Sequence, residues 1–174
     1  MLRSLGNTLL NATLVAMLAL TLGLFSSASP ALALTPAALP GLNGLFAGTP
    51  PTNIGVNDGH LSPCPTTPNC VVSENADEEH LVAPFTYTGD PAAAIDQLAD
   101  LIAAQPRTTI IEQTATYLYA EFASRLMGFV DDVEFYADPD AQVVQVRAAA
   151  RLGESDLGVN RKRVETLRQQ FNPA

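Results

Sequence analysis

The chain has 174 residues, 47% of them hydrophobic, and carries 18 acidic against 9 basic side chains. Its net charge of −9 argues against nucleic acid and anionic membrane surfaces as general partners, since both repel an acidic protein. A local basic site is still compatible with that balance.

In chain order, "MLRSLGN" is a short n-region with Arg3, and "TLLNATLVAMLALTLGLF" is an uncharged apolar run. "SSASPALA" then ends in Ala31-Leu32-Ala33, the small-x-small pattern of a signal peptidase site. Residues 1–33 therefore read as a signal peptide cut after Ala33. The rival is an uncleaved membrane anchor, because about 18 apolar residues approach the ~20 that span a bilayer. Cleavage would leave 141 of the 174 residues, enough for one domain with a sizeable core. That product would be exported and hold no stable membrane anchor.

Residues 34–60 carry four prolines and five glycines without sustained periodicity, which predicts a linker or an irregular arm lying on the domain. A single domain then occupies 61–174. It opens with Cys64 and Cys70 in "CPTTPNC". In an oxidising compartment this pair reads as a disulfide closing a small loop, with Pro65 and Pro68 favouring a turn. A ring this short stabilises a fold by only ~2 kcal/mol. A redox-active pair is the alternative, but C-x5-C lacks the spacing that tunes such thiols. Beyond the acidic run "ENADEEH", the segment "LVAPFTY" could cover the core or pair along a sheet edge.

"GDPAAAIDQLADLIAAQPR" predicts a helix. Asp90 suits the N-cap and Pro91 the first turn; Ile95, Leu98 and Ile102 form one stripe, and Pro106 stops the helix near Gln105. Four strand-like runs follow, "RTTIIEQT", "TYLYAEFAS", "FVDDVEFYAD" and "AQVVQVRAAAR", with a turn at Asp138-Pro139-Asp140. A last helix places Val164, Leu167 and Phe171 on one face. The order α-β-β-β-β-α predicts an α+β fold, a four-stranded antiparallel meander with two helices on one face.

Alternation along the strands directs Leu118, Ala120, Phe122, Val133, Phe135, Ala137, Val144, Val146, Ala148 and Ala150 toward the helices. The opposite face receives Tyr117, Tyr119, Glu121, Asp132, Glu134, Tyr136, Gln145, Arg147 and Arg151. That face is either solvated, as one side of an antiparallel sheet often is, or a recognition surface rich in Tyr and Arg, or covered by the arm.

No catalytic set assembles from local spacing. His60 and His80 stand alone, and with Asp58 they lack metal-ligand spacing, so no metal or cofactor is expected. The notable cluster is "SDLGVNRKR", Ser155 to Arg163. If Asp156 caps the last helix, its cations fall in the second turn; if Asn160 does, they fall in the first, where the macrodipole opposes them. Arg161, Lys162 and Arg163 then need partners: Glu165 at i+4 from Arg161, the carboxylates Asp131, Asp132 and Glu134, or a bound anion.

"LSPCPTTPNCVVS", "FVDDVEFY" and "VRAAARLGESDLGVNRKRVETLR" resemble the DUF1499 family, a domain of unknown function, from about Leu61 to Phe171. Where that family typically reads R-S-x-S-R, this chain has Arg147-Ala148-Ala149-Ala150-Arg151, which puts any hydroxyl-dependent role at those positions in doubt. The resemblance implies no activity. It implies exported members of the periplasmic or thylakoid-lumen kind, with extracellular release a further option.

The leading expectation is a non-catalytic binding or accessory module, presenting the sheet face or the Arg-rich turn to a protein or a small anionic ligand. Its candidate residues are Tyr117, Tyr119, Glu134, Arg147, Arg151, Ser155, Asp156, Asn160, Arg161 and Arg163. The alternatives are an enzyme using Asp131, Asp132, Glu134 or Asp156 as acid or base, and a purely structural role in holding the last helix to the sheet.

Overall fold

A computed structural model describes residues 44–172. The expected signal peptide and the first part of the arm lie outside the described residues. The elements are β1 (Cys70–Val72), β2 (Phe85–Thr86), α1 (Pro91–Ala103), β3 (Thr108–Gln113), β4 (Tyr117–Ala123), β5 (Val130–Asp138), β6 (Val143–Ala150) and α2 (Val159–Phe171).

The architecture is α+β, with an antiparallel sheet of six strands rather than four. The meander β3-β4-β5-β6 is present, and two further strands lie on the free edge of β6. β1 pairs there through Cys70↔Ala149 and Val72↔Arg147, and β2 through Phe85↔Val144. At three and two residues these strands are too short to show alternation. They form because β6 would otherwise leave a row of backbone groups unpaired.

Local signals account for α1. The Asp90 side chain accepts from Ala92 N at 3.0 Å, Pro91 opens the helix, and Ile95, Leu98 and Ile102 are fully buried. The last helix departs from expectation at its start. Asn160 is not the cap but lies within α2; Gly158 takes that place in a left-handed conformation, φ +78°. Both helices pack on the inner face with Val164, Leu167 and Phe171 against Leu118, Val133, Phe135, Val146 and Ala148. "LVAPFTY" does both things open to it: Phe85 pairs with β6 and sits edge-on to Phe135 and Phe171, ring centroids 5.7 Å apart.

The outer face is not solvated. The arm lies across it, with Ile54, Val56 and Leu61 packed on Tyr117, Tyr119 and Tyr136. Hydrogen bonds hold it there: Gly55 N donates to Glu134 Oε1 at 2.7 Å, and Leu61 N to Glu74 Oε1 at 3.0 Å. His60 Nδ1 meets Glu74 Oε2 at 2.7 Å.

Candidate functional site

Strand register explains which outer-face side chains meet. Glu134 stands opposite Arg147, and Arg147 Nη1 donates to Glu134 Oε2 at 3.1 Å. Tyr117, one pair further along β4, reaches Glu134 Oε1 diagonally with its hydroxyl at 2.9 Å. Asp132 receives Tyr119 OH at 2.5 Å, Arg151 Nε at 2.8 Å and Arg151 Nη2 at 2.7 Å. Arg151 also bonds Glu121 and the Tyr119 hydroxyl. Glu134 is fully buried, and Asp132 and Arg147 nearly so.

Unpaired charges could not persist at that depth, so the network is a set of mutual partners. Burial, with the adjoining carboxylates, raises the Tyr117 and Tyr119 phenols far above their ordinary value and keeps both as donors. The bond to Asp132, with the lesser one to Glu121, holds the Arg151 guanidinium still more firmly protonated.

One donor breaks the pattern. Arg147 Nε is buried and has no hydrogen-bond partner. Beside Arg147 and Arg151 is a cavity of about 140 Å³, walled by Thr49, Pro51, Pro65 and Asn69. Ala148, next to Arg147 along β6, points the other way and lies buried on the helix side of the sheet.

The "SDLGVNRKR" residues form a second, separate constellation at the β6–α2 junction. Ser155 Oγ accepts from Leu157 N at 3.3 Å. Asp156 accepts from Gly158 N at 2.9 Å and from Asn160 N at 2.7 Å, which satisfies donors at the helix start. Asn160 is fully buried; its Nδ2 donates to Asn69 O at 3.5 Å, and its Oδ1 accepts from Arg163.

Arg163 Nη2 donates to Asp131 Oδ2 at 2.7 Å, and its guanidinium lies 4.7 Å over the Phe122 ring. Arg161 does not pair with Glu165, which binds Arg168 instead. It donates to the carbonyls of Leu81 and Glu79 at 2.7 and 2.5 Å. Lys162 alone of the three cations is exposed without an ion pair among the described residues.

Asn69 ties the cysteine loop to the β6–α2 junction and walls the cavity beside Arg147, and sequence reasoning missed it. Its side chain donates to Gly153 O at 2.6 Å, while its own carbonyl accepts from Asn160 Nδ2 and Ala150 N. The signal was its place inside the cysteine loop, which is closed by the Cys64–Cys70 disulfide. Glu121, Gly55 and Glu74 were also absent from the candidates. Gly55 and Glu74 matter only because the arm folds back. His80 hydrogen bonds Asp77 at 2.8 Å, so neither histidine stands alone.

A family model described as protein of unknown function (DUF1499) matches residues 60–171, nearly the span carrying the cysteine loop, the acidic strand and the junction. No curated protein matches the chain. With that match running from His60 through the whole sheet to the end of α2, the chain belongs to the DUF1499 family.

Proposed function

We propose that the protein is an exported, non-catalytic binding or accessory module of the periplasm or thylakoid lumen, and that its binding point is the cavity at Arg147. The observation that carries this reading is the buried Arg147 Nε, a donor without an acceptor in a side chain that helps to wall the cavity. An orphan donor costs about 1–3 kcal/mol, which a ligand oxygen would return. The surrounding network already sets three carboxylates, Glu121, Asp132 and Glu134, against two arginines. A neutral acceptor such as a peptide carbonyl therefore suits the cavity better than the small anion expected from sequence.

The test is NMR of the Arg147 Nε–H resonance during titration with N-methylacetamide and, separately, acetate. A saturable shift with the amide, lost in Arg147→Lys, supports the reading. An unmoved resonance with both probes rejects it.

One observation favours a second reading, acid–base catalysis at Asp131. Burial raises this carboxyl above its ordinary value despite Arg163, and it lines a hollow of about 280 Å³ with Ser155 and Asp156. An Asp131 side chain that titrates like a free aspartate would remove it.

A further inference from the structure

The end of the sheet where β4 turns into β5 and β6 passes into α2 is unlike the rest of the surface. Nine large hydrophobic residues are exposed among the described residues, and seven of them gather here. Leu126, Met127 and Phe129 belong to the β4–β5 hairpin; Leu152, Leu157 and Val159 belong to the β6–α2 junction. The two loops are neighbours, since Arg151 N donates to Val130 O at 3.1 Å. Phe129, Leu152, Leu157 and Val159 line one hollow of about 280 Å³. Leu45, the seventh, precedes Phe46, whose ring lies 5.3 Å from that of Phe129. A monomer rarely leaves so concentrated an apolar patch without a partner.

Cations fringe the patch. Arg125 is in the hairpin, Lys162 in the first turn of α2, and Arg107 beside the end of β4, donating to Ala123 O at 3.2 Å. All three are exposed, and none enters an ion pair among the described residues. Of the carboxylates in the two loops, Glu154 is exposed and Asp156 half-buried.

Asp138 and Asp140 lie at the other end of β5, nine residues away. That is about 30 Å of strand, some three screening lengths at ~0.1 M salt, so the acidic end does not oppose what the basic end attracts.

We propose that this end is a docking surface for a lipid bilayer bearing anionic headgroups. Leu126 and Leu157 enter the interface while Arg125, Lys162 and Arg107 meet the headgroups. Among the described residues no helix is long and apolar enough to cross a membrane, and the contact proposed for this end is peripheral. Leu157 is the sharpest sign. It is 93% exposed and held at φ +57°, a backbone state that disfavours a large side chain and offers it no contact in return. The proposal is independent of the Arg147 cavity.

The protein contains no tryptophan, so Leu157→Trp in the full chain is a unique reporter, with Ala141→Trp at the opposite end as its control. Emission is read with phosphatidylcholine vesicles, with and without phosphatidylglycerol, and with brominated acyl chains as quencher. The expected result is a blue shift and quenching of the Leu157→Trp protein alone, stronger with phosphatidylglycerol. Arg125→Gln and Lys162→Gln each weaken vesicle affinity about fivefold. Three outcomes overturn the proposal: emission from Leu157→Trp that stays water-like with every vesicle, equal shifts at both reporters, or a shift that follows protein concentration without lipid. The last would make the patch an interface between two copies of the chain.

Discussion

Arg163 of α2 donates to Asp131 of β5 at 2.7 Å while its guanidinium covers Phe122. Helix and sheet are thus joined by an ion pair laid over an aromatic ring. Asp131→Ala strands the cation and should cost about 3 kcal/mol, the low end for breaking a largely buried pair. Arg163→Met keeps an apolar stem over Phe122 and should cost less. Urea denaturation of both variants checks this; equal losses would mean that the ring contact contributes little.

Arg147 and Glu134 invite a double-mutant cycle. Arg147→Met leaves a fully buried Glu134 with only Tyr117 and Gly55 as donors, and should cost about 3 kcal/mol. Glu134→Gln strands Arg147 in the same way. Together the two changes should cost well under the sum, because neither leaves a buried charge alone. Additive losses in urea would show that the pair is not coupled.

Two adjacent left-handed residues respond in opposite directions. A Cβ at Gly158 meets no atom within 4 Å, so Gly158→Ala should cost about 1 kcal/mol from its φ of +78° alone. Leu157→Asn places a residue tolerant of φ +57° where the leucine has nothing to pack on. It should raise the melting temperature slightly, while abolishing the vesicle contact if Leu157 inserts. A lower melting temperature would mean that Leu157 has contacts within the fold.

Both histidines fasten irregular segments, His60 through Glu74 and His80 through Asp77, and these bonds raise each imidazole above its ordinary value of 6.5. A raised folded value gives stability that is full below the unfolded value near 6.5 and lost as pH rises through the folded one. Stability should therefore fall across neutral pH by more in the native protein than in a His60→Gln/His80→Gln double variant. Thermal melts from pH 5.5 to 8.5 measure the difference; parallel curves would reject it.

The Cys64–Cys70 disulfide closes the loop that presents Asn69 to the β6–α2 junction. Replacing both cysteines with serine should cost about 2 kcal/mol, the value for a ring this short. Hydrogen exchange should rise at Ala150 N, which donates to Asn69 O. Unchanged exchange there would show that the loop keeps its shape without the bond.

Sequence alone determined what neighbouring residues decide. Both helices, the four-strand meander, the split of β4, β5 and β6 into two faces and the cysteine loop all follow from spacing and caps, because periodicity is a local property. Only the tertiary structure decided what the charges do. Arg163 finds Asp131 from 32 positions away, Arg161 finds Leu81 from 80, and Gly55 reaches Glu134 across 79. No local pattern records such distances. It was likewise the fold that put a Tyr/Arg face under the arm and turned a basic cluster into a helix anchor. The physical reason is common to all of them: a charge near the core is tolerated only with a partner, and the chain supplies that partner by folding rather than by sequence proximity.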